Sequence, residues 1–501
     1  MIKSLYTSVR MSLLSTALYM LSGLFLIAGC ASGPDSGEPL SERPLLFPDY
    51  ADVTIPPNIA PLSFRVEDSC ARVRALFSGS DSYSFSVNGL STISIPDKEW
   101  KRLLSANVGG KITVRLLLQK GSTWFEAPSF SFSVSPDSID SHLAYRLIPP
   151  GYEMWKHLGI YQRSLSSFRE TAVMENRQTD GGCMNCHSFS SYNPKRMSFH
   201  LRAKFGGTLF ISGDTVQKVD LKSPEAISAG VYTSWHPGGR YVAFSLNKTF
   251  QKFHMSKEKV TEVYDEASDL VVYDTQTQTL FTDSLLYSAF RLETHPSFSP
   301  DGRYLYFCTA SSDGMPDSLL KVRYSICRMA FDAASGEFGQ QVDTVVSSNV
   351  IQRSAVFPRI SPDGRFLVFT AFDYGQFPIW HPEADLWMVD LSADGTPFRM
   401  TNINSDNTES YHSWSSNGRW MVFSSRRIDG LYTRLFLAHI DDRGEASKPF
   451  LLPQSDPGHN DSRMQSYNIP EFVRGEVEIS PRRLGRVARS EPAPVYFEPP
   501  R

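Results

Sequence analysis

Gly181-Gly182-Cys183-Met184-Asn185-Cys186-His187 is the stretch whose residue types and spacing carry chemistry. Two thiols separated by two residues can each add to a vinyl group on one edge of a porphyrin, and the histidine that follows then falls beneath the iron. On this reading Cys183 and Cys186 form the thioethers of a covalent haem c and His187 is the proximal iron ligand. Two other readings stay open. The thiols can form a disulfide or redox pair, with His187 an ordinary polar neighbour. They can also join two further ligands around zinc, although no second C-x-x-C or nearby C-x-x-H completes that set. A sixth ligand would decide whether a haem transfers electrons or binds a small molecule. Met197 is the first candidate, with His200, His157, Met174 and His142 behind it; core methionine and surface histidine is the alternative for all five. Cys70 has no local partner and reads as packing, while Cys308 and Cys327 lie on consecutive expected strands and either pair or pack.

The elements that must position this motif begin with an export segment. Lys3 and Arg10 precede an uncharged run from Met11 to Gly29 that is rich in leucine, as in a secretory signal. It ends Leu26-Ile27-Ala28-Gly29-Cys30, which resembles the lipobox of bacterial lipoproteins. The resemblance implies a signal peptide over 1–29, acylation of Cys30 and a flexible tether over 30–46. An ordinary signal peptide or a single membrane anchor is the alternative. Alanine after the cysteine, where an aspartate would favour inner-membrane retention, points to the outer membrane, with the periplasmic or surface face left open.

Internal similarity gives the fold. Four segments share one pattern around Arg240, Arg303, Arg365 and Arg419: a bulky apolar residue five before (Trp235, Phe298, Ile360, Trp414), glycine immediately before, an aromatic next, and phenylalanine four after (Phe244, Phe307, Phe369, Phe423). That is strand, tight turn, strand, with glycine supplying the positive φ of a hairpin. Asp274, Asp332, Asp390 and Asp441 each close a later apolar run. One such unit cannot bury both faces alone, so the units must stack, and radial closure into a β-propeller is the usual solution. The motif resembles the TolB-type propeller repeat and covers residues 195–475, giving five or six blades with a degenerate blade at Met197 to Leu221 and closure involving Met464 to Val473. The four arginines are expected to hold turn carbonyls or nearby carboxylates. Tyr232, His295, Phe357 and Tyr411, eight residues before them, are expected on innermost strands near the axis, as packing or as the lining of a binding mouth.

Period-two alternation over 47–136 predicts a small immunoglobulin- or fibronectin-like β-sandwich. Residues 137–194, which hold the C-x-x-C-H, read as a connecting segment, helical near Ser164 to Asn176, and 476–501 as a disordered tail. The fold class is therefore all-β: a propeller preceded by a sandwich and a partly helical connector.

Fifty basic against 53 acidic residues give a formal charge of −3, which excludes a field suited to nucleic acid. No G-x-S-x-G nucleophile elbow occurs, and the repeat-positioned aspartates are not a unique carboxylate pair, so an enzyme is not expected. The lipobox-like segment, Cys183 to Phe189, and Val231 to Ser245 with Ser268 to Asp274 together resemble a family of TolB-like envelope lipoproteins of anaerobic Gram-negative bacteria. Some of its members are described as cytochrome c-related by their C-x-x-C-H. The resemblance implies an envelope lipoprotein whose propeller docks protein partners and whose haem transfers electrons or senses. A non-haem scaffold with a Cys183–Cys186 disulfide is the alternative.

Overall fold

In the computed structural model, which describes residues 34–150, 157–224, 226–256 and 259–500, Gly239, Gly302, Gly364 and Gly418 take φ of 72°, 74°, 77° and 69°. Each turns the chain between the first two strands of a blade, a conformation costly for any residue with a Cβ. The arginines that follow bind carboxylates, as expected: Arg240 with Asp274 at 2.6 Å, Arg303 with Asp301 at 2.7 Å, Arg365 with Asp390 at 2.9 Å, and Arg419 with Asp442. The second strands that leave these turns are apolar throughout. Phe366–Phe372 is buried at every residue because one blade covers each of its faces. The signal segment and Cys30 lie outside the described residues.

Among the described residues, six four-stranded blades form the ring. Blade 2 is Met184–Phe189, Arg196–Leu201, Gly207–Ser212 and Thr215–Asp220, so the degenerate blade is real and begins at the C-x-x-C-H. Blades 3 to 6 have Gly230–Trp235, Arg291–Phe298, Ser354–Ile360 and Glu409–Trp414 as innermost strands. Blade 1 corrects the sequence reading of 137–194 as a connector. His142–Ile148, Gly159–Ser164 and Glu170–Glu175 are its three outer strands, and the stretch expected to be helical carries strand instead. The reason is tertiary: Leu143, Leu147, Ile160 and Val173 face neighbouring sheets, and burial against them overrides a local pattern without clear alternation. The innermost strand of blade 1 is Ser466–Val473, antiparallel to His142–Ile148, so both ends of the propeller segment share one sheet and close the ring.

The sandwich forms over the expected region from a seven-stranded and a three-stranded sheet, with an unforeseen helix, Asp97–Ala106, that buries Trp100, Leu103 and Leu104. Its core is continuous with blade 6: Val53, Ile55 and Phe130 belong to the same apolar cluster as Trp420, Val422 and Leu437. Trp420 Nε1 donates to the Asp137 carbonyl at 3.1 Å.

The tail is also corrected. Pro481–Ala488 is a helix capped by Ser480, Ala493–Pro494 joins the outer edge of blade 2, and Tyr496–Phe497 joins that of blade 3. Leu484 and Ala488 enter the core between blades 1 and 2, an apolar stripe at helical spacing that arginine and proline obscure in the composition.

Candidate functional site

The innermost strands all kink at one level. Cys186, Tyr232, His295, Phe357, Tyr411 and Ile469 have φ of 55°, 50°, 50°, 55°, 47° and 51°, and pairing skips two residues at each, as at Asn185/Ser188 and Ser410/Ser413. A left-handed residue without glycine is costly, and its recurrence in every blade marks a built bulge that re-aims one side chain toward the axis. There the rings meet: Tyr232 and His295 at 4.4 Å between centroids, His295 and Phe357 at 4.1 Å, Phe357 and Tyr411 at 4.9 Å. The packing role expected for these four residues holds, and between them they leave a narrow axial cavity of about 40 Å³.

The C-x-x-C-H is blade 2's copy of this bulge. Cys186-His187-Ser188-Phe189 stands in register with Tyr411-His412-Ser413-Trp414 of blade 6 and His295-Pro296-Ser297-Phe298 of blade 4. Cys183 and Cys186 are free, buried thiols, so the disulfide alternative is not formed here. His187 is 1% exposed, and neither ring nitrogen completes a hydrogen bond. Burial, reinforced by the Arg146 guanidinium, holds its pKa down to about 3, so the ring is neutral. Burial pushes the Cys186 thiol up.

A c-type haem needs both sulfurs and the ring nitrogen on one flat chamber. Here Cys183 and Cys186 border a cavity of about 230 Å³ at one mouth of the axis, whereas His187 borders only the 40 Å³ constriction. As packed, these residues do not fit a porphyrin with His187 beneath its iron. Met197 is fully buried between blades 1 and 2 in the cluster with Met174, and borders neither cavity. His200 bonds Thr208 at 3.2 Å, His142 bonds Ser141 at 2.9 Å, and the His157 carbonyl accepts from Gln465. None of the five is brought to His187. Cys308 and Cys327 pack in different apolar clusters on opposite faces of their sheet and are free, and Cys70 is free as well. Among the described residues no group of three or more His, Cys, Asp or Glu could hold a metal ion.

A direct check is thiol titration of the denatured, unreduced chain. Replacing both Cys183 and Cys186 by serine is expected to lower the titre by two thiols, matching the free state of both. An unchanged titre would show that the sulfurs are covalently occupied.

The opposite mouth is wider, about 400 Å³, with Trp235, Phe298 and Trp414 on its walls and Arg359, Glu471 and Arg474 among them. Glu471 accepts from the Phe189 amide at 3.0 Å. Burial pushes its pKa up to about 7 against the pull of Arg359. Sequence reasoning missed Glu471, Arg359 and Arg426, because none lies in a motif; for Glu471 and Arg359 the signal was their place two residues after the kinks at Ile469 and Phe357, and for Arg426 there was none. Elsewhere, Ser135, His439 and Asp137 cluster between sandwich and blade 6, but Ser135 Oγ and Asp137 Oδ2 both reach His439 Nε2, at 3.1 and 2.8 Å. A Ser–His–Asp relay needs the two on different ring nitrogens, so this is a structural contact.

No family model matches the chain. Over 87 residues it is 33% identical to Dipeptidyl-peptidase 5 of Porphyromonas endodontalis, a stretch that covers 17% of this chain and 11% of that protein. Among solved structures, it is similar to dipeptidyl peptidase 4 of Porphyromonas gingivalis (10% identity, 62% of this chain, 50% of that one, TM-score 0.30). Another is the β-propeller domain of the Trilobed protease from Pyrococcus furiosus (9%, 65% and 78%, TM-score 0.31). The likeness to a peptidase overturns the expectation of an electron-carrying or docking lipoprotein, with or without haem, and the expectation that the chain has no part in an enzyme.

Proposed function

We propose that this chain serves peptide hydrolysis and that its propeller binds the peptide at the wider axial mouth. The observation that carries the reading is the wider mouth, where tryptophan and phenylalanine walls surround a buried carboxylate and two arginines. An extended peptide offers apolar side chains, a cationic amine and an anionic carboxylate, and such a lining can meet all three. The local identity with a dipeptidyl-peptidase supports the reaction class. This reading gives the described residues substrate binding. An envelope location with a lipid anchor at Cys30 belongs to the same proposal, and labelled palmitate incorporation lost in Cys30→Ala checks the anchor.

The test is titration of the full chain with short unmodified peptides, read by quenching of Trp235 and Trp414 fluorescence, alongside release of chromophore from dipeptidyl amides. Saturable quenching is expected, weakened about tenfold or more by Trp414→Ala. Absence of both binding and turnover across peptides of varied length and sequence would overturn the reading.

A further inference from the structure

The narrower mouth, which the peptide-binding reading leaves without a role, holds an unusual set of cations. Arg146, Arg202 and Arg426 border the 230 Å³ cavity, and no described acidic residue does. Arg426 is the informative one. It is 3% exposed and lies over the Trp380 ring at 3.1 Å from its centroid. Its Nε has no hydrogen-bond partner, and Nη1 reaches only the Gly430 carbonyl at 3.4 Å. Arg146 Nε is likewise buried without a partner.

Arg163, Arg434 and Arg463 also have an Nε without a partner, but each makes a closer bond through a terminal nitrogen than Arg426 does. Arg427, the next residue, pairs with Glu409 at 3.0 Å, and Arg434 donates to the carbonyls of Gln465, Asn460 and Arg463. A buried cation with no carboxylate in contact is costly, and burial, against the pull of the Asp429 charge, has brought the Arg426 pKa down to about 9. The Trp380 face offsets part of that cost, and the open cavity beside Arg426 leaves room for an anion to meet the rest.

Resting on the peptide-binding reading, we propose that this mouth is a carboxylate site that takes the C-terminal carboxylate of a peptide, with Arg426, Arg146 and Arg202 as its donors. The planar guanidinium fork matches a carboxylate with two parallel bonds. The last side chain of the peptide lies on the apolar wall formed by Phe377, Ile379 and Tyr411. Asn185, Gln251 and Asn468 also line the cavity, and the apolar wall beside the arginines is what favours a peptide terminus over a phosphate-bearing ligand.

Calorimetric titration of the full chain with an N-acetylated tetrapeptide ending in leucine, as free acid and as C-terminal amide, tests the assignment. The acid is expected to bind about tenfold or more tighter than its amide, and Arg426→Gln to bring the ratio toward one. Arg202→Gln, at an exposed position, is expected to shrink the ratio in the same direction and stands if the buried substitution impairs folding. Equal binding of acid and amide by the unmodified chain overturns the carboxylate site while peptide binding stands. Failure of both, with unmodified peptides also unbound, overturns the peptide reading and this site with it. Displacement of the acid by inorganic phosphate but not by acetate overturns the peptide terminus as occupant.

Discussion

Truncating Tyr467 to alanine is expected to destabilise the folded chain by about 3–5 kcal/mol, whereas Tyr467→Phe is expected to stay within about 1 kcal/mol of the unmodified protein. Tyr467 sits on the strand that closes the ring, 2% exposed, its ring 5.0 Å from that of Tyr145 on the adjacent strand. It belongs to the apolar cluster shared by sandwich and blade 6, so removing it opens a cavity where three parts of the chain meet. Its hydroxyl is buried without a partner, which makes the oxygen dispensable while the ring is not. Urea unfolding of the two variants separates these contributions. A small loss in the alanine variant would show that closure does not depend on this contact.

Substituting Glu293 by glutamine is expected to raise stability by about 1–3 kcal/mol at pH 8.5 and by much less at pH 5. Glu293 is fully buried on the innermost strand of blade 4. Burial first, then the neighbouring Asp269, pushes its pKa up to about 8. One carboxylate oxygen has no partner, and the other is 3.5 Å from Thr309 Oγ1. The unfolded chain releases this proton near pH 4, while the folded chain keeps it to about 8, so the folded state binds more protons in between and stability falls as pH rises through that window. Asp265, raised to about 7, and Asp269, raised to about 6, act in the same direction. His187, His200 and His412, held down to about 3, act oppositely: the unfolded chain takes up protons below about 6.5 and stability falls as pH drops. The sets offset one another between about pH 4 and 6.5, leaving the acids alone above it. Melting temperatures of both proteins from pH 5 to 9 check this, and a difference that does not change with pH would refute it.

Blades 3 to 6 are legible in the sequence because each carries its own glycine–arginine hairpin, and the local chemistry of that turn is the same wherever it occurs. Blades 1 and 2 lack the hairpin. Their strands are specified by what covers them: for Gly159–Ser164 and Glu170–Glu175, sheets that arrive from elsewhere in the chain. The C-x-x-C-H illustrates the same limit. Read alone it is a porphyrin motif, while its alignment with Tyr411-His412-Ser413-Trp414 was available to inspection and places it as one bulge in a ring of six. The cavity arginines could not be found this way, since a buried cation without a partner is a property of assembled blades and leaves no mark in the local pattern.

Because His142–Ile148 finds its partner in Ser466–Val473, more than three hundred residues later, the wheel cannot be completed until that later strand has left the ribosome. Until then the nascent protein is an open arc with bare strand edges at its ends, the kind of surface that sticks to other chains. Its biogenesis is thus tied to whatever shields that arc during synthesis and transport. Residues 474–500 then act as a lace that crosses from blade to blade around the rim of the shut wheel.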